Sequence, residues 1–130
     1  MILRGPATSL AVIIEAGPDS EGWYRIQINV DAPAGCWSAQ NACLTGTEVE
    51  ELADWLEQVV DGTAATRLEF LEPELALQRS AAGVQVELRW GLQPTPAPGD
   101  PHEPLIVTIP AEPGQLVRAA HSLRSDLARR

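Results

Sequence analysis

The strand pattern that decides the fold lies at residues 23–31, which read WYRIQINVD. Apolar residues occupy every second position, which is the period of a β-strand with one buried face. The buried row is Tyr24, Ile26, Ile28 and Val30, and the opposite row is Trp23, Arg25, Gln27 and Asn29. The segment predicts a strand with the core on one side and a mainly polar surface on the other.

Further strands are predicted on both sides of this one. Residues 8–16 are apolar on both faces, as in a central strand, and the turn residues at 17–22 separate the two strands. A weaker strand is predicted at 36–44. Later in the chain, short strands are predicted near 66–71, 74–79, 83–92 and 105–109.

The clearest helix runs from Thr47 to Asp61. Thr47 and Glu50 fit a capping box, in which each side chain accepts a hydrogen bond from the other residue's backbone N–H. Gly62 is placed to end the helix, and apolar residues recur at helical spacing within it. They are Val49, Leu52, Ala53, Leu56, Val59 and Val60. A second helix, with Pro113 in its first turn, is predicted to close the chain.

The predicted order of elements is therefore β-β-β-α-β-β-β-β-α. Short turns rather than helices join most of the strands. The predicted fold class is thus α+β, with a mostly antiparallel twisted sheet of six or seven strands and both helices on one of its faces. We expect residues 1–130 to form a single domain, with a mobile, proline-rich loop at residues 93–104.

Composition limits what the protein binds. Eighteen acidic residues against nine basic ones give a net charge of −9, which argues against nucleic acid and favours a basic protein as partner. All nine basic residues are arginine, so no lysine is present for a Schiff base or a phosphate-binding loop. No apolar run has the length of a membrane span and the first residues do not resemble a signal peptide, so we expect a cytoplasmic protein.

No motif for catalysis or cofactor binding is present, and we expect neither an enzyme nor a metal or cofactor site. His102 and His121 have no nucleophile or acid near them in a recognisable pattern. The spacing of Cys36 and Cys43 fits neither a redox pair nor a zinc site. We expect both cysteines to be buried, and to lie on opposite faces if one strand holds them.

One acidic feature stands out on the first helix. Four carboxylates recur at intervals of four, three and four residues, which places them on one narrow face. They are Glu50, Asp54, Glu57 and Asp61, and we call them the acidic stripe. No arginine lies between Arg25 and Arg67 to neutralise them locally, and like charges at this spacing cost helix stability. The stripe is either an ordinary solvated surface or a docking surface for a basic partner.

The tryptophans divide between core and surface. Trp90 is in register with the apolar row of its strand and is predicted to be buried, and Trp55 is predicted to cover the edge of the core. Trp23 lies with Arg25 on the polar face of its strand, and both residue types are enriched at interfaces. That face could bind a partner, close a homodimer or be covered by the loop at 93–104, and the sequence leaves these alternatives open.

The whole pattern resembles the WapI-like family of bacterial immunity proteins, which belong to polymorphic toxin systems. The shared layout is a tryptophan that opens a strand, a glycine–aromatic stretch, a helix with leucine and an aromatic, a Gly-x-Ala step, a glycine-led alternating strand and a leucine-rich final helix. It spans about residues 23–127, at positions Trp23, Tyr24, Ile26, Ile28, Gly35, Trp37, Leu52, Trp55, Leu56, Val59, Gly62, Ala64, Leu68, Phe70, Leu75, Leu77, Gly83, Val84, Val86 and Leu88. The proline-rich loop and the absence of lysine depart from the family pattern.

The resemblance implies that the protein neutralises a toxin by tight one-to-one binding. Many toxin domains are basic nucleases, which an acidic surface would find quickly and block. The acidic stripe is then the first candidate for the contact, and Trp23 with Arg25 is the second. The alternative is a small-ligand or regulatory binding domain, in which the open face of the sheet could close a homodimer.

Overall fold

The structure, a computed structural model, describes all residues from Met1 to Arg130. In chain order the elements are β1 (Ile2–Arg4), β2 (Ser9–Ala16), β3 (Trp23–Ala32), β4 (Gly35–Thr45), α1 (Gly46–Asp61), β5 (Arg67–Glu69), β6 (Leu75–Ser80), β7 (Gly83–Leu88), a 3₁₀ turn (Trp90–Leu92), β8 (Leu105–Ile109) and α2 (Pro113–Ala128). The α+β class is confirmed. The order contains one strand, β1, that the sequence did not predict.

The strands form two sheets rather than one. The N-terminal sheet has the order β1-β2-β3-β4 and the C-terminal sheet the order β5-β6-β7-β8. Every neighbouring pair is antiparallel. The prediction of a single sheet of six or seven strands was wrong. Alternation shows which face of a strand is buried but not which strand lies beside it, and here α1 separates two sets of strands that pair only among themselves.

One core joins both sheets and both helices, with 29 buried residues in a single cluster. In the N-terminal sheet the apolar row predicted for β3 lies opposite the apolar row of β2. The opposed pairs are Leu10–Val30, Val12–Ile28 and Ile14–Ile26. These six residues are at most 3% exposed, so the buried face of this strand was predicted correctly.

The residue that caps the start of α1 lies two positions earlier than predicted. The capping box is formed by Thr45 and Glu48, whose side chains accept hydrogen bonds from the Glu48 and Thr45 backbone N–H groups at 3.2 and 3.0 Å. The prediction of Thr47 with Glu50 was therefore wrong. Because β4 keeps its pairing through Thr45, the helix starts directly where the strand ends. Gly62 ends it in the left-handed conformation, with φ at 78°.

Glu48 does more than cap the helix. Its other carboxylate oxygen accepts a hydrogen bond from the backbone N–H of Leu71 at 2.9 Å, in the segment that leads into β6. Helices α1 and α2 pack against each other, with α1 beside β4 and α2 beside β1 and β2. The acidic face of α1 is thereby placed next to α2.

The region after β7 differs from the sequence prediction. The strand ends at Leu88, and Trp90 turns out of line with a φ of 47°, so its side chain is 39% exposed instead of buried. Its ring meets the His102 ring edge-on at 5.7 Å. The Gln93 side-chain amide donates hydrogen bonds to the Leu88 and Glu103 carbonyls, which ties the two ends of the 93–104 loop together. The mobility of this loop stays a prediction.

The two cysteines lie on opposite faces of β4, as their spacing indicated. Cys43 is buried, and burial raises the pKa of its thiol to about 12. Cys36 is exposed, so the prediction that both are buried was wrong. The Cys36 thiol donates a hydrogen bond to Asp31 at 3.1 Å, and this bond raises its pKa. Neither thiol is thereby made more reactive.

Candidate functional site

The acidic stripe lies on the surface of α1. Glu50, Asp54 and Asp61 are exposed and Glu57 is half-buried. The opposite side of the helix supplies buried residues to the core, so the helical period separates the carboxylates from the apolar face. The structure thus brings together the residues that the sequence grouped.

Arg124 of α2 lies against three of these carboxylates. Its guanidinium donates to Asp54 at 2.6 Å and to Glu57, and its Nε is 3.6 Å from a carboxylate oxygen of Glu50. These hydrogen bonds, with that to Glu57 the largest cause, raise the pKa of Arg124. The stripe therefore does have a neutralising cation, supplied by a helix more than sixty residues further along the chain.

One guanidinium does not balance four carboxylates. With Arg124 included, the stripe keeps an excess of three negative charges, and Asp61 makes no ion pair. Glu51, also exposed on α1, makes none either. The side chains of Glu50, Asp54 and Glu57 remain 42–59% exposed, so the carboxylates face water while Arg124 fixes their positions. No sequence signal marks Arg124, because only the packing of α1 on α2 brings it to the stripe.

Trp23 and Arg25 lie on the outer face of the N-terminal sheet, where β3 approaches the start of α1. Trp23 is half-buried and paired with Thr45, and its backbone N–H donates to the Asp19 side chain at 3.0 Å. Arg25 is exposed and makes no ion pair. The two side chains line an open cleft of about 360 Å³ with the turn after β2. No hydrogen bond or ion pair joins them to the acidic stripe.

The outer face of the N-terminal sheet is open. A chain of side-chain hydrogen bonds crosses it, from Ser38 to Asn29, from Gln27 to Asn29 and from Gln40 to Gln27. Ser38 and Gln40 are exposed, as is Ile13 at 40%. The loop at 93–104 therefore does not cover this face, which removes one of the three alternatives.

A second charged cluster lies on the outer face of the C-terminal sheet. Both terminal nitrogens of Arg67 donate to the Glu87 carboxylate, and a guanidinium nitrogen of Arg89 lies 3.5 Å from it. The Glu87 side chain is only 8% exposed, and the hydrogen bonds from Arg67 lower its pKa. Arg67 also pairs with Glu69, so two cations meet two carboxylates. This cluster is balanced within the protein.

Groups that could support other functions are few. No set of three or more His, Cys, Asp or Glu side chains is arranged to hold a metal ion. His102 is exposed and bonded to Asp100 at 3.0 Å, and His121 is exposed on α2. Neither helix has the length and apolar character needed to cross a lipid bilayer. The most prominent feature of the surface is the unbalanced charge on α1.

The structure is thus an α+β fold whose first helix carries an exposed face of unbalanced negative charge. Residues 10–129 match the family model described as the immunity protein WapI-like family, and the chain belongs to that family. No curated protein and no solved structure gives a significant match to the chain. Family membership indicates a toxin-neutralising role in general terms.

Proposed function

We propose that this protein neutralises a toxin domain with a basic surface, and that the acidic stripe forms the main contact. The observation that carries the proposal is the excess of negative charge on one exposed helix face. A stripe selected for stability alone would be balanced, as the cluster around Glu87 is. The family supports a toxin as partner, and the charge supports a basic one.

Arg124 prepares the stripe for binding. By holding Asp54 and Glu57, and approaching Glu50, it limits the rotamers of three flexible side chains before a partner arrives. Less conformational entropy is then lost on binding. Each carboxylate has further lone pairs for a partner's arginine or lysine. The long-range field of the stripe increases the rate at which a basic partner is found.

Trp23 and Arg25 form a second contact in this proposal. An aromatic ring and a free guanidinium beside an open cleft are of the kind that anchors interfaces. The protein acts in the cytoplasm by blocking the toxin's surface, with no chemical step and no cofactor. The two surfaces can be tested separately because no direct contact joins them.

The test uses the toxin domain that the proposal predicts to be encoded beside the gene, expressed with this protein in a bacterial host. The triple variant Glu50→Gln, Asp54→Asn, Glu57→Gln removes charge from the stripe without crowding new guanidinium groups around Arg124. We expect this variant to lose protection against growth arrest, and its Kd for the purified toxin at low salt to rise about tenfold or more. Growth and titration calorimetry measure the two effects.

A matched control carries Glu21→Gln, Glu103→Gln and Glu112→Gln, three exposed carboxylates outside the stripe that make no ion pair. Its net charge changes by the same amount, so it should keep protection and affinity close to those of the unmodified protein. If both triple variants lose affinity equally, net charge alone explains the effect and the stripe is not the specific contact. Full protection by the stripe variant would refute the proposed contact.

A further inference from the structure

A groove with the opposite charge lies between β1 and the first half of α2. Its lining residues are Ile2, Arg4, Gln115, Arg118, Ala119 and Ser122, and its volume is about 440 Å³. The helical part, from Gln115 to Ser122, extends for about 10 Å, which matches about three residues of extended chain. The groove is open to solvent along its length.

The two arginines of this groove have no acidic partner. Neither Arg4 nor Arg118 has a carboxylate oxygen within 4 Å, whereas Arg67, Arg89 and Arg124 all do. Arg118 folds back along α2, with a terminal nitrogen 3.2 Å from the position that a Cβ on Gly114 would occupy. In a chain with a net charge of −9, two unpaired guanidinium groups in one groove form a local positive site.

The backbone of β1 is also incompletely paired along this groove. The Val12 N–H donates to the Met1 carbonyl at 2.9 Å, and the Gly5 N–H donates to the Thr8 carbonyl at 2.7 Å. Because hydrogen-bonded pairs alternate along an antiparallel ladder, the polar groups of Ile2 and Arg4 point away from β2. At Ile2 the N–H and C=O therefore face the open side of the strand.

At Arg4, the backbone N–H and C=O that point away from β2 are already hydrogen-bonded to the side chain of Gln115. Its side-chain oxygen accepts from the Arg4 N–H at 2.9 Å, and its side-chain nitrogen donates to the Arg4 carbonyl at 3.0 Å. A primary amide that both donates and accepts in this way makes the contacts that a peptide group of a neighbouring strand would make. The groove thus combines a strand edge able to pair with a peptide and two cations beside it.

We propose that this groove binds an extended, acidic segment of a partner protein, which pairs with β1 at Ile2 and places carboxylates against Arg4 and Arg118. Strand addition of this kind takes affinity from backbone hydrogen bonds and specificity from alternate side chains. The exposed Ile2 side chain, at 53%, offers an apolar contact to the residues between the carboxylates. The site is separate from the acidic stripe and does not depend on the function proposed for it.

The probe is an end-blocked peptide of sequence Glu-Val-Glu-Val-Glu-Val, titrated to millimolar concentration into ¹⁵N-labelled full-length protein. We expect amide shifts at Ile2, Arg4 and Arg118 and slower hydrogen exchange at the Ile2 amide. The matched neutral peptide, with Gln in place of Glu, should bind about fivefold more weakly. Absence of shifts at Ile2 and Arg4, or equal binding of the two peptides, would overturn the proposal.

Variants of the groove sharpen the result. Arg4→Gln with Arg118→Gln should weaken the acidic peptide about fivefold and reduce the salt dependence of its binding. Arg79→Gln is the control for a single charge, because Arg79 is exposed and unpaired but lies outside the groove. Arg118→Gln alone should weaken binding and Arg79→Gln should not. Equal effects of these two single variants would show a general response to charge and contradict the groove assignment.

Discussion

Two arginine–carboxylate clusters on this protein differ in burial and in balance. In the C-terminal sheet, Arg67 and Arg89 cover Glu87, whose side chain is 8% exposed. On the helices, Arg124 lies among three carboxylates that are 42–59% exposed. The first cluster is balanced and its central carboxylate is largely removed from water, whereas the second has surplus negative charge facing water. The comparison separates a cluster that holds the fold from one that is free to meet a partner.

The energetic difference follows from desolvation. A carboxylate that is largely buried depends on its partners, because losing them leaves polar groups unpaired within the protein. Exposed ion pairs contribute roughly 0–1 kcal/mol each, because water solvates the separated charges nearly as well. The cluster around Glu87 should therefore contribute more to the free energy of unfolding than the stripe does. The stripe should contribute more to the binding of a partner.

The largest expected effect is that of Glu87→Ala. Removing the carboxylate leaves Arg67 with Glu69 as its only carboxylate partner and Arg89 with none. We expect the free energy of unfolding to fall by about 2 kcal/mol. Gln85→Ala is the control, because Gln85 lies on the same face of β7 and makes no ion pair. Urea unfolding of both variants measures the difference. If Glu87→Ala lowers the free energy of unfolding no more than Gln85→Ala does, the cluster does not have the structural role assigned to it.

A smaller effect is expected in the pH dependence of stability. The pKa of Glu87 is lowered in the folded protein by Arg67, so its ionised form is favoured by folding. This contribution is present above the unfolded value of about 4.3 and is lost as the pH falls through the lower folded pKa. The gap in unfolding free energy between the unmodified protein and Glu87→Gln should therefore narrow from pH 7 to pH 3. If this difference in unfolding free energy is the same at pH 7 and pH 3, the pKa of Glu87 is not lowered in the folded protein.

The smallest effect on stability is expected for Arg124→Gln. Its pairs are exposed, so the free energy of unfolding should change by less than about 1 kcal/mol. The variant also adds to the excess charge of the stripe, and association with a basic toxin should become faster and more sensitive to salt. Stopped-flow measurements at two salt concentrations test this. A loss of stability above about 2 kcal/mol would instead make Arg124 a structural clamp between α1 and α2.

Local periodicity predicted the buried face of β3, the first helix and the acidic stripe, because each depends on residues that are neighbours in sequence. It did not predict the division into two sheets or the position of Arg124. Those features depend on which elements pack together, and Arg124 meets Glu57 across 67 residues of chain. Trp90 shows a related limit: its spacing from Leu88 predicted a buried residue, but the strand ends at Leu88 and Trp90 is exposed.

The start of α1 shows how a sequence can offer two equivalent solutions. Thr45 with Glu48 and Thr47 with Glu50 both have capping-box spacing. The chain uses the first pair because β4 stays paired with β3 through Thr45 and because Glu48 also binds Leu71. The second pair is thereby left free, and Glu50 becomes part of the stripe. A tertiary contact thus decides which glutamate caps the helix and which remains available for binding.

The double use of Glu48 also joins the two halves of the chain. One carboxylate holds the first turn of α1 at the end of the N-terminal sheet and the segment that enters the C-terminal sheet. Separation of the C-terminal sheet would release part of this carboxylate and leave the Leu71 amide without its partner. Because both sheets also share one buried core, they are coupled in unfolding, and neither is expected to behave as an independent cooperative unit.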